Sequence, residues 1–385
     1  MTWSLHWRPD DTTLRALGLD LRDVVSIERV DGGLSGAHLS RVRLASPAGP
    51  WGEAPRWRGA RMVKEQHALG GWIAQATHDD HVREVTLFQS GLAQRIPRRI
   101  GLAVERWSLV PSEMETNTTY GALLMRDVRN RLMRDPYRAP RGHLPESVRS
   151  VLAALAEMHA RFWGSPALDE PDLGLVSLRD TLLWLAPPAI EEALASGLND
   201  PYLYLAQRGW KAFFRLISPD DAATLSATVA SPERALAAIG RLPRTLTHGD
   251  VWGPNMGRFP PTRHPPRAGS QTLLIDWALV AVAPGLWDPL TMLGAWHSLS
   301  PVTLLSAYRA HLTPRLKARG IALLPATWRL LVASAWLRGT LGFGEAYARA
   351  VEEAPGALAH QRALARLRWW ASRGARAARL LEEIS

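Results

Sequence analysis

Leu246-Thr247-His248-Gly249-Asp250-Val251-Trp252-Gly253-Pro254-Asn255, followed after a proline-rich loop by Leu273-Leu274-Ile275-Asp276-Trp277, decides how this chain reads. Asp250 follows His and Gly and precedes Trp-Gly-Pro, which places it on a loop and not inside an apolar strand. Asn255 opens a short apolar run, Met256 to Phe259, and a second run, Thr272 to Ile275, ends at Asp276. The stretch between them, 260 to 271, holds four prolines and a glycine and reads as a turn. Paired as a hairpin with Phe259 opposite Thr272, the two runs put Asn255 opposite Asp276, at the open end beside Asp250. An amide oxygen and a carboxylate meeting there suit Mg²⁺, which favours hard oxygen ligands. Asp250 is then left to orient a nucleophile.

One Asp for an incoming hydroxyl, with an Asn and a second Asp for Mg²⁺, is the phosphoryl-transfer arrangement. The blander alternative is a turn Asp, a capping Asn and a strand-end Asp with no joint role. The residues resemble the aminoglycoside phosphotransferase and choline kinase group of kinase-like enzymes. That family shows His-Gly-Asp, four residues, Asn, then Ile-Asp-Trp or similar. Here these are His248-Gly249-Asp250, four residues, Asn255, then Ile275-Asp276-Trp277. Trp252 and Gly253 also resemble the fructosamine kinase branch. Protein kinases carry an Arg before the catalytic Asp and Phe-Gly after the metal Asp. Gly249 and Trp277-Ala278 stand at those places, which favours a small-molecule acceptor.

Upstream, residues 12 to 18 read as a short helix, and Val24–Val30 and His38–Leu44 as strands. The turn between them, Asp31-Gly32-Gly33-Leu34-Ser35-Gly36-Ala37, lets backbone N–H groups approach phosphate oxygens without a Cβ in the way. Gly-rich hairpins are common, and this one gains meaning because the resemblance implies a nucleotide loop here, with Gly32, Gly33, Ser35 and Gly36 in it. Ala60 to Gln66 reads as a strand carrying Lys64. Only three of the 46 basic residues are lysines: Lys64, Lys211 and Lys317. A compact ammonium suits a place between phosphates better than a guanidinium does, and the resemblance implies that role for Lys64.

Asp79 to Leu92 reads as a helix, capped by Asp79 or Asp80, with Val82, Val85, Phe88 (or Gln89) and Leu92 recurring at helical spacing as an apolar stripe. Glu84 flanks that stripe and is the expected partner of Lys64, whereas Glu65 points to the other face of its strand. Gly101–Val110 and Tyr120–Met125 complete five strands. The resemblance implies an inter-lobe hinge at Met125 to Asp127 that binds the adenine edge through backbone groups. Asp127 reads equally as the cap of the next turn.

Pro145 to Trp163 is a strong amphipathic helix, with His159 on or beside its buried stripe and more readily a core residue than a catalytic one. Residues 164 to 240 are helical with breaks at Pro166, Pro187-Pro188, Pro201 and Pro219. Asp288 is expected near the start of a helix, either as its cap or, as the resemblance implies, bracing the catalytic loop, a task His248 shares. The remainder, with Trp328, Trp336, Trp369 and Trp370, reads as helical core.

Composition narrows the classes. The absence of cysteine excludes disulfides and thiolate metal sites. The N-terminus lacks the apolar core of a signal peptide, and Leu152–Phe162 and Leu330–Phe343 are too short or too broken to span a bilayer. A cytoplasmic protein with no membrane partner is expected. The net charge of +10 comes from arginines spread along the chain, not from a basic block, so nucleic acid is not the expected partner.

Together these readings imply an α+β, two-lobed protein-kinase-like fold. The N-lobe (1–127) is an antiparallel five-stranded sheet plus one helix, and the C-lobe (128–385) is mostly helical. The implied function is transfer of the ATP γ-phosphoryl group, with Mg²⁺, to a small-molecule hydroxyl. Asp250 is the catalytic residue, Asn255 and Asp276 hold metal, and Gly32, Gly33, Ser35, Gly36, Lys64, Glu84, Met125 and Asp127 bind or position nucleotide. A non-catalytic nucleotide-binding sensor or scaffold is the alternative, with a protein kinase behind it. A polycationic aminoglycoside needs an acidic lining, and this chain is basic, so a neutral or anionic alcohol is the expected acceptor.

Overall fold

The structure, a computed structural model, describes residues 9–30, 36–45, 60–111, 119–133, 144–259, 271–295 and 299–384. In chain order the first half runs α1 (Asp11–Ala16), β1 (Val24–Val30), β2 (His38–Leu44), β3 (Ala60–His67), α2 (Trp72–Ala76), α3 (Arg83–Gln89), β4 (Ile100–Leu102), β5 (Val104–Pro111) and β6 (Thr119–Arg126). Then follow α4 (Glu146–Phe162), α5 (Leu178–Leu183), α6 (Pro187–Ala195), α7 (Pro201–Leu216), α8 (Pro219–Ala230), α9 (Glu233–Gly240), β7 (Thr245–Thr247), β8 (Met256–Phe259), β9 (Gln271–Leu274) and β10 (Ala281–Ala283). Four helices end the chain: α10 (Trp287–Ala295), α11 (Pro301–Lys317), α12 (Pro325–Glu352) and α13 (Ala357–Glu383). The α+β class read from the sequence is the one observed.

The chain divides into two compact units. The first comprises Met1–Leu132, Pro171–Gly174 and Gly257–Ala278. Its main sheet has the order β1-β2-β3-β6-β5, antiparallel throughout. Period-2 alternation divides β3 between two faces. Val63 joins Leu14, Leu17, Val42, Ala122 and Leu124 in an apolar cluster under α1. Glu65 is fully buried and accepts the Tyr120 hydroxyl at 2.9 Å. Lys64 therefore faces away from Glu65, as strand geometry requires.

Two boundaries differ from the sequence reading. The expected strand from Gly101 is split: β4 leaves the main sheet and pairs in parallel with β9, Ile100 opposite Thr272 and Leu102 opposite Leu274. β8 flanks β9 on its other side. The α3 helix begins at Arg83 and not at Asp79, because Val82 adopts a left-handed φ of 54° that no helix continues. Asp79 still caps it, its Oδ1 accepting the Arg83 N–H at 2.7 Å. Besides α3, the unit holds the short α1, read from the sequence at residues 12 to 18, and α2, which was not.

The second unit comprises Met133–Glu170, Leu175–Met256 and Leu279–Ser385. The breaks read at the prolines are observed: Pro187, Pro201 and Pro219 each sit in the first turn of the helix that follows the break, where a missing N–H costs nothing. Asp200 and Ser218 cap α7 and α8 with their side chains. The long α12 packs along α13 and α7, and α11 along α4. Trp336, Trp369 and Trp370 meet edge to face; Trp336 and Trp370 are buried core, whereas Trp369, read from the sequence as core too, is 37 % exposed, and Trp328 is half-buried. β7 and β10 form a two-stranded antiparallel ribbon that carries the His248–Asn255 segment at its end. Among the described residues no helix is long and apolar enough to cross a membrane.

Candidate functional site

In the first unit the structure brings Lys64, Glu84 and Asp276 together. Lys64 Nζ donates to Glu84 Oε2 at 2.6 Å and to Asp276 Oδ1 at 2.7 Å. Lys64 and Glu84 are buried, while the Asp276 side chain keeps 32 % of its surface open. Burial works to lower the pKa of the Lys64 ammonium, but Asp276 and then Glu84 more than offset it, and the net shift is upward. Three charges so arranged are held only if each finds good partners.

Two adjacent α3 residues fix the segment around Asp276. Glu84 Oε1 accepts the Trp277 N–H at 3.1 Å. Arg83, 2 % exposed, donates to the Ala278 carbonyl at 2.7 Å, the Gly174 carbonyl at 2.7 Å and the Thr77 carbonyl at 2.8 Å. Asp276 itself has a φ of 62°, a left-handed conformation that Asp tolerates better than most side chains and that collects at functional sites. The sequence reading found Glu84 and missed Arg83, whose signal was its place beside the flank of the stripe.

Other nucleotide-side expectations fare variously. Gly32, Gly33 and Ser35 lie outside the described residues. Gly36 has a φ of 70° and sits against Gly71, where a Cβ would come within 2.9 Å of its Cα. It lines a small, partly open pocket together with Gln66, Gly70, Thr77, Asp79 and Arg83. Met125 pairs with Met62 and Val104 across the sheet and packs on Ala103, Phe259 and Leu273. The Asp127 carboxylate is engaged by Arg41 at 3.0 Å and Arg129 at 3.1 Å and accepts the Arg129 N–H at 3.3 Å. Its side chain thus caps the following turn, the second of its two readings.

In the second unit Asp250 and Asn255 meet. Asn255 Nδ2 donates to Asp250 Oδ2 at 2.7 Å and to the Asp250 carbonyl at 3.1 Å. Trp252 Nε1 donates to the same Oδ2 at 3.2 Å. These bonds set the orientation of the carboxylate. With its amide nitrogen turned to Asp250, Asn255 keeps its amide oxygen as the atom that could meet a cation.

A buried network holds this loop. Asp288 lies in the first turn of α10, fully buried, and accepts the His248 N–H at 2.8 Å, the Gly249 N–H at 2.9 Å and His159 Nε2 at 3.1 Å. Its carboxylate therefore braces the loop backbone instead of capping α10. Burial raises the Asp288 pKa, but the His159 bond, the neighbouring histidines and the His248 N–H lower it further, for a net shift below the usual carboxylate value. His159 Nδ1 meets Tyr308 Oη at 2.6 Å, and in the neutral ring that donates Nε2–H, Nδ1 accepts the hydroxyl. This makes His159 a satisfied core histidine. His248 Nδ1 accepts the Asp250 N–H at 3.3 Å. Gly249 has a φ of 82°, and a Cβ there would run into the Leu279 carbonyl, so only glycine fits before Asp250.

No protein-family model matches the sequence, and no curated protein does. Solved structures do resemble it in chain path, and they are of the group its motifs resemble. The ethanolamine kinase of Plasmodium vivax is 10% identical, with 91% of this chain and 83% of that chain covered and a TM-score of 0.47. A choline/ethanolamine kinase family protein from Mesorhizobium loti is 14% identical over 95% of this chain and 97% of that one, TM-score 0.45. An amicoumacin kinase solved with AMP-PNP and Ca²⁺ is 10% identical over 91% and 88%, TM-score 0.46. Identity this low leaves the chemistry to be read from this chain's own residues.

Proposed function

We propose that the chain is a small-molecule kinase, transferring the γ-phosphoryl group of ATP, with Mg²⁺, to a hydroxyl. The observation that carries this reading is the buried Lys64 ammonium held between Glu84 at 2.6 Å and Asp276 at 2.7 Å. A lysine–glutamate pair beside a metal-binding Asp is what phosphoryl transfer needs to hold phosphates without covalent chemistry. Asp276 in the first unit offers a partly open carboxylate and Asn255 in the second an amide oxygen, each of the hard oxygen type that Mg²⁺ takes. One or two such ligands completed by phosphates and water suffice for this ion. Bound with the nucleotide, the ion would neutralise phosphate charge.

Asp250 orients the acceptor hydroxyl and receives its proton. Asn255 and Trp252 fix the carboxylate, and Asp288 fixes the loop beneath it. Replacing Asp250 by Ala lowers phosphoryl transfer by at least ~10²-fold, a typical loss for a positioned base, and leaves ATP affinity nearly intact. The experiment is ADP release across a panel of alcohols, with ATP and Mg²⁺, for wild type and variant. ATP binding with no alcohol phosphorylated would reject the kinase reading in favour of a nucleotide sensor.

A further inference from the structure

Three arginines are buried among the described residues: Arg61, Arg83 and Arg338. Arg61 is held by Glu105 at 2.6 Å, and Arg83 by the three carbonyls described above. Arg338 differs. It lies in the middle of α12, 5 % exposed, and no described residue gives its guanidinium a hydrogen bond or an ion pair. The stretch Leu330–Phe343 drew attention in the sequence only as an apolar run broken by a charge; that charge is Arg338.

The position of the guanidinium is built. It folds over the next turn of its own helix, where a Cβ on Gly342 would overlap Nη1. Burial lowers its pKa to about 10, opposed by the charges of Asp250 and Asp288. Neither carboxylate forms a hydrogen bond or an ion pair with it. Asp288 is engaged by two backbone N–H groups and His159, and Asp250 Oδ2 by Asn255 and Trp252. Glu345, two turns further along α12, is also engaged: Tyr202 Oη donates to it at 2.8 Å and Arg349 Nε at 2.7 Å. The same Asp250 charge acts on Tyr202. The neighbourhood of Asp250 in this unit therefore holds one buried cation with unused donors and a carboxylate, Glu345, already neutralised.

We infer that Arg338 anchors an oxyanion on the acceptor, a carboxylate or a phosphate, so that the substrate is an anionic alcohol whose hydroxyl is offered to Asp250. This rests on the kinase reading above and narrows its substrate class. A guanidinium presents a planar fork that matches such groups with two parallel bonds. An acceptor anion would supply the partner that a buried cation requires. A cationic acceptor would meet this charge unscreened.

The test compares kcat/KM for hydroxycarboxylic acids with their methyl esters, and for sugar phosphates with the parent sugars. Amino alcohols form a further arm. Wild type is expected to favour the charged member of a pair by ~10-fold or more, the scale of a charge-assisted hydrogen bond. The two pairs show which oxyanion is taken. In Arg338→Met that ratio falls toward one, because the charged member loses more than the neutral one. Gly342→Ala improves helix propensity and keeps the arginine, yet crowds the guanidinium, so it too lowers the ratio. This second variant covers the case in which Arg338→Met does not fold. Equal losses on charged and neutral members in both variants would mean that Arg338 only balances internal charge, and would overturn the inference. Turnover of amino alcohols without preference for anions overturns it while leaving the kinase reading standing. No turnover of any alcohol overturns both.

Discussion

Glu84 joins Lys64 to the backbone of Trp277: one carboxylate oxygen holds the ammonium at 2.6 Å and the other accepts the Trp277 N–H at 3.1 Å. A helix side chain thus sets both a strand lysine and the segment that carries Asp276. Arg83, its neighbour, ties the same segment at Ala278. A shift of α3 would therefore move Lys64 and Asp276 together.

This relationship separates two substitutions. Glu84→Ala removes both bonds and leaves a buried ammonium with Asp276 alone. Breaking a buried pair in this way costs about 3–5 kcal/mol, and the remaining Asp276 contact puts the expected loss near the lower end. Glu84→Gln keeps an acceptor for Trp277 and loses less. Denaturant unfolding of the two variants reads the order directly. A Glu84→Ala variant as stable as wild type would mean that the pair does not hold the unit.

Much of the fold was legible because it is local. The strands read at Val24–Val30 and His38–Leu44 flank a Gly-rich turn and match β1 and β2, and the α4 stripe followed from helical spacing. What escaped was set by distant partners. Gly101 and Leu102 read as the start of a long strand, but their pairing with Leu273 and Leu274 lies far along the chain. The left-handed Val82 has no signature in a β-branched residue. In the candidate site, Asp250, Asn255, Asp276, Lys64 and Glu84 stood out as polar residues of motif type at motif spacing. Arg338 did not, since an arginine's burial depends on helices packed around it.

Acid should test the Asp288 brace. Its folded pKa lies below the ordinary value, so the folded state binds its proton less readily than the unfolded one. The stability it contributes is then fully present above the unfolded pKa, near 3.9, and is lost as pH falls through the folded value. Asp288→Asn abolishes this titration and puts an amide N–H against a backbone donor. The variant is expected to be less stable at pH 7 and to show a shallower further loss below about pH 4. Unfolding midpoints measured across that window, in wild type and variant, give the comparison. Parallel curves would show that Asp288 does not titrate with folding.

The metal assignment has its own readout. Asp276→Asn removes a charged oxygen that Mg²⁺ prefers, and should reduce the extra thermal stabilisation that Mg²⁺ gives with ATP. The variant also loses one partner of Lys64, so its stability without nucleotide must be measured beside it. Equal Mg²⁺ enhancement in wild type and variant would remove Asp276 from the metal site.

The scarcity of lysine allows one more test. An acyl-phosphate analogue of ATP delivers its acyl group to an amine held near the phosphates, because bound geometry raises the effective concentration. Lys211 and Lys317 are exposed on α7 and α11 and will react to some extent without any site. Lys64 is 5 % exposed and its pKa is raised, after the opposing effect of burial, by Asp276 and Glu84. Only a small fraction is then free amine at neutral pH. Its labelling is expected to be slow, to rise steeply with pH, and to be suppressed by excess ATP with Mg²⁺, whereas labelling of Lys211 and Lys317 is indifferent to ATP. Asp276→Asn takes away the larger of the two charges that raise the Lys64 pKa. At saturating analogue it should therefore speed the reaction at Lys64 at a given pH and leave the other two lysines unchanged. Peptide mass spectrometry resolves all three sites in one digest. Labelling of Lys64 that ATP does not suppress would place the nucleotide phosphates elsewhere, and the kinase reading would then stand on Asp250 and Asn255 without the lysine.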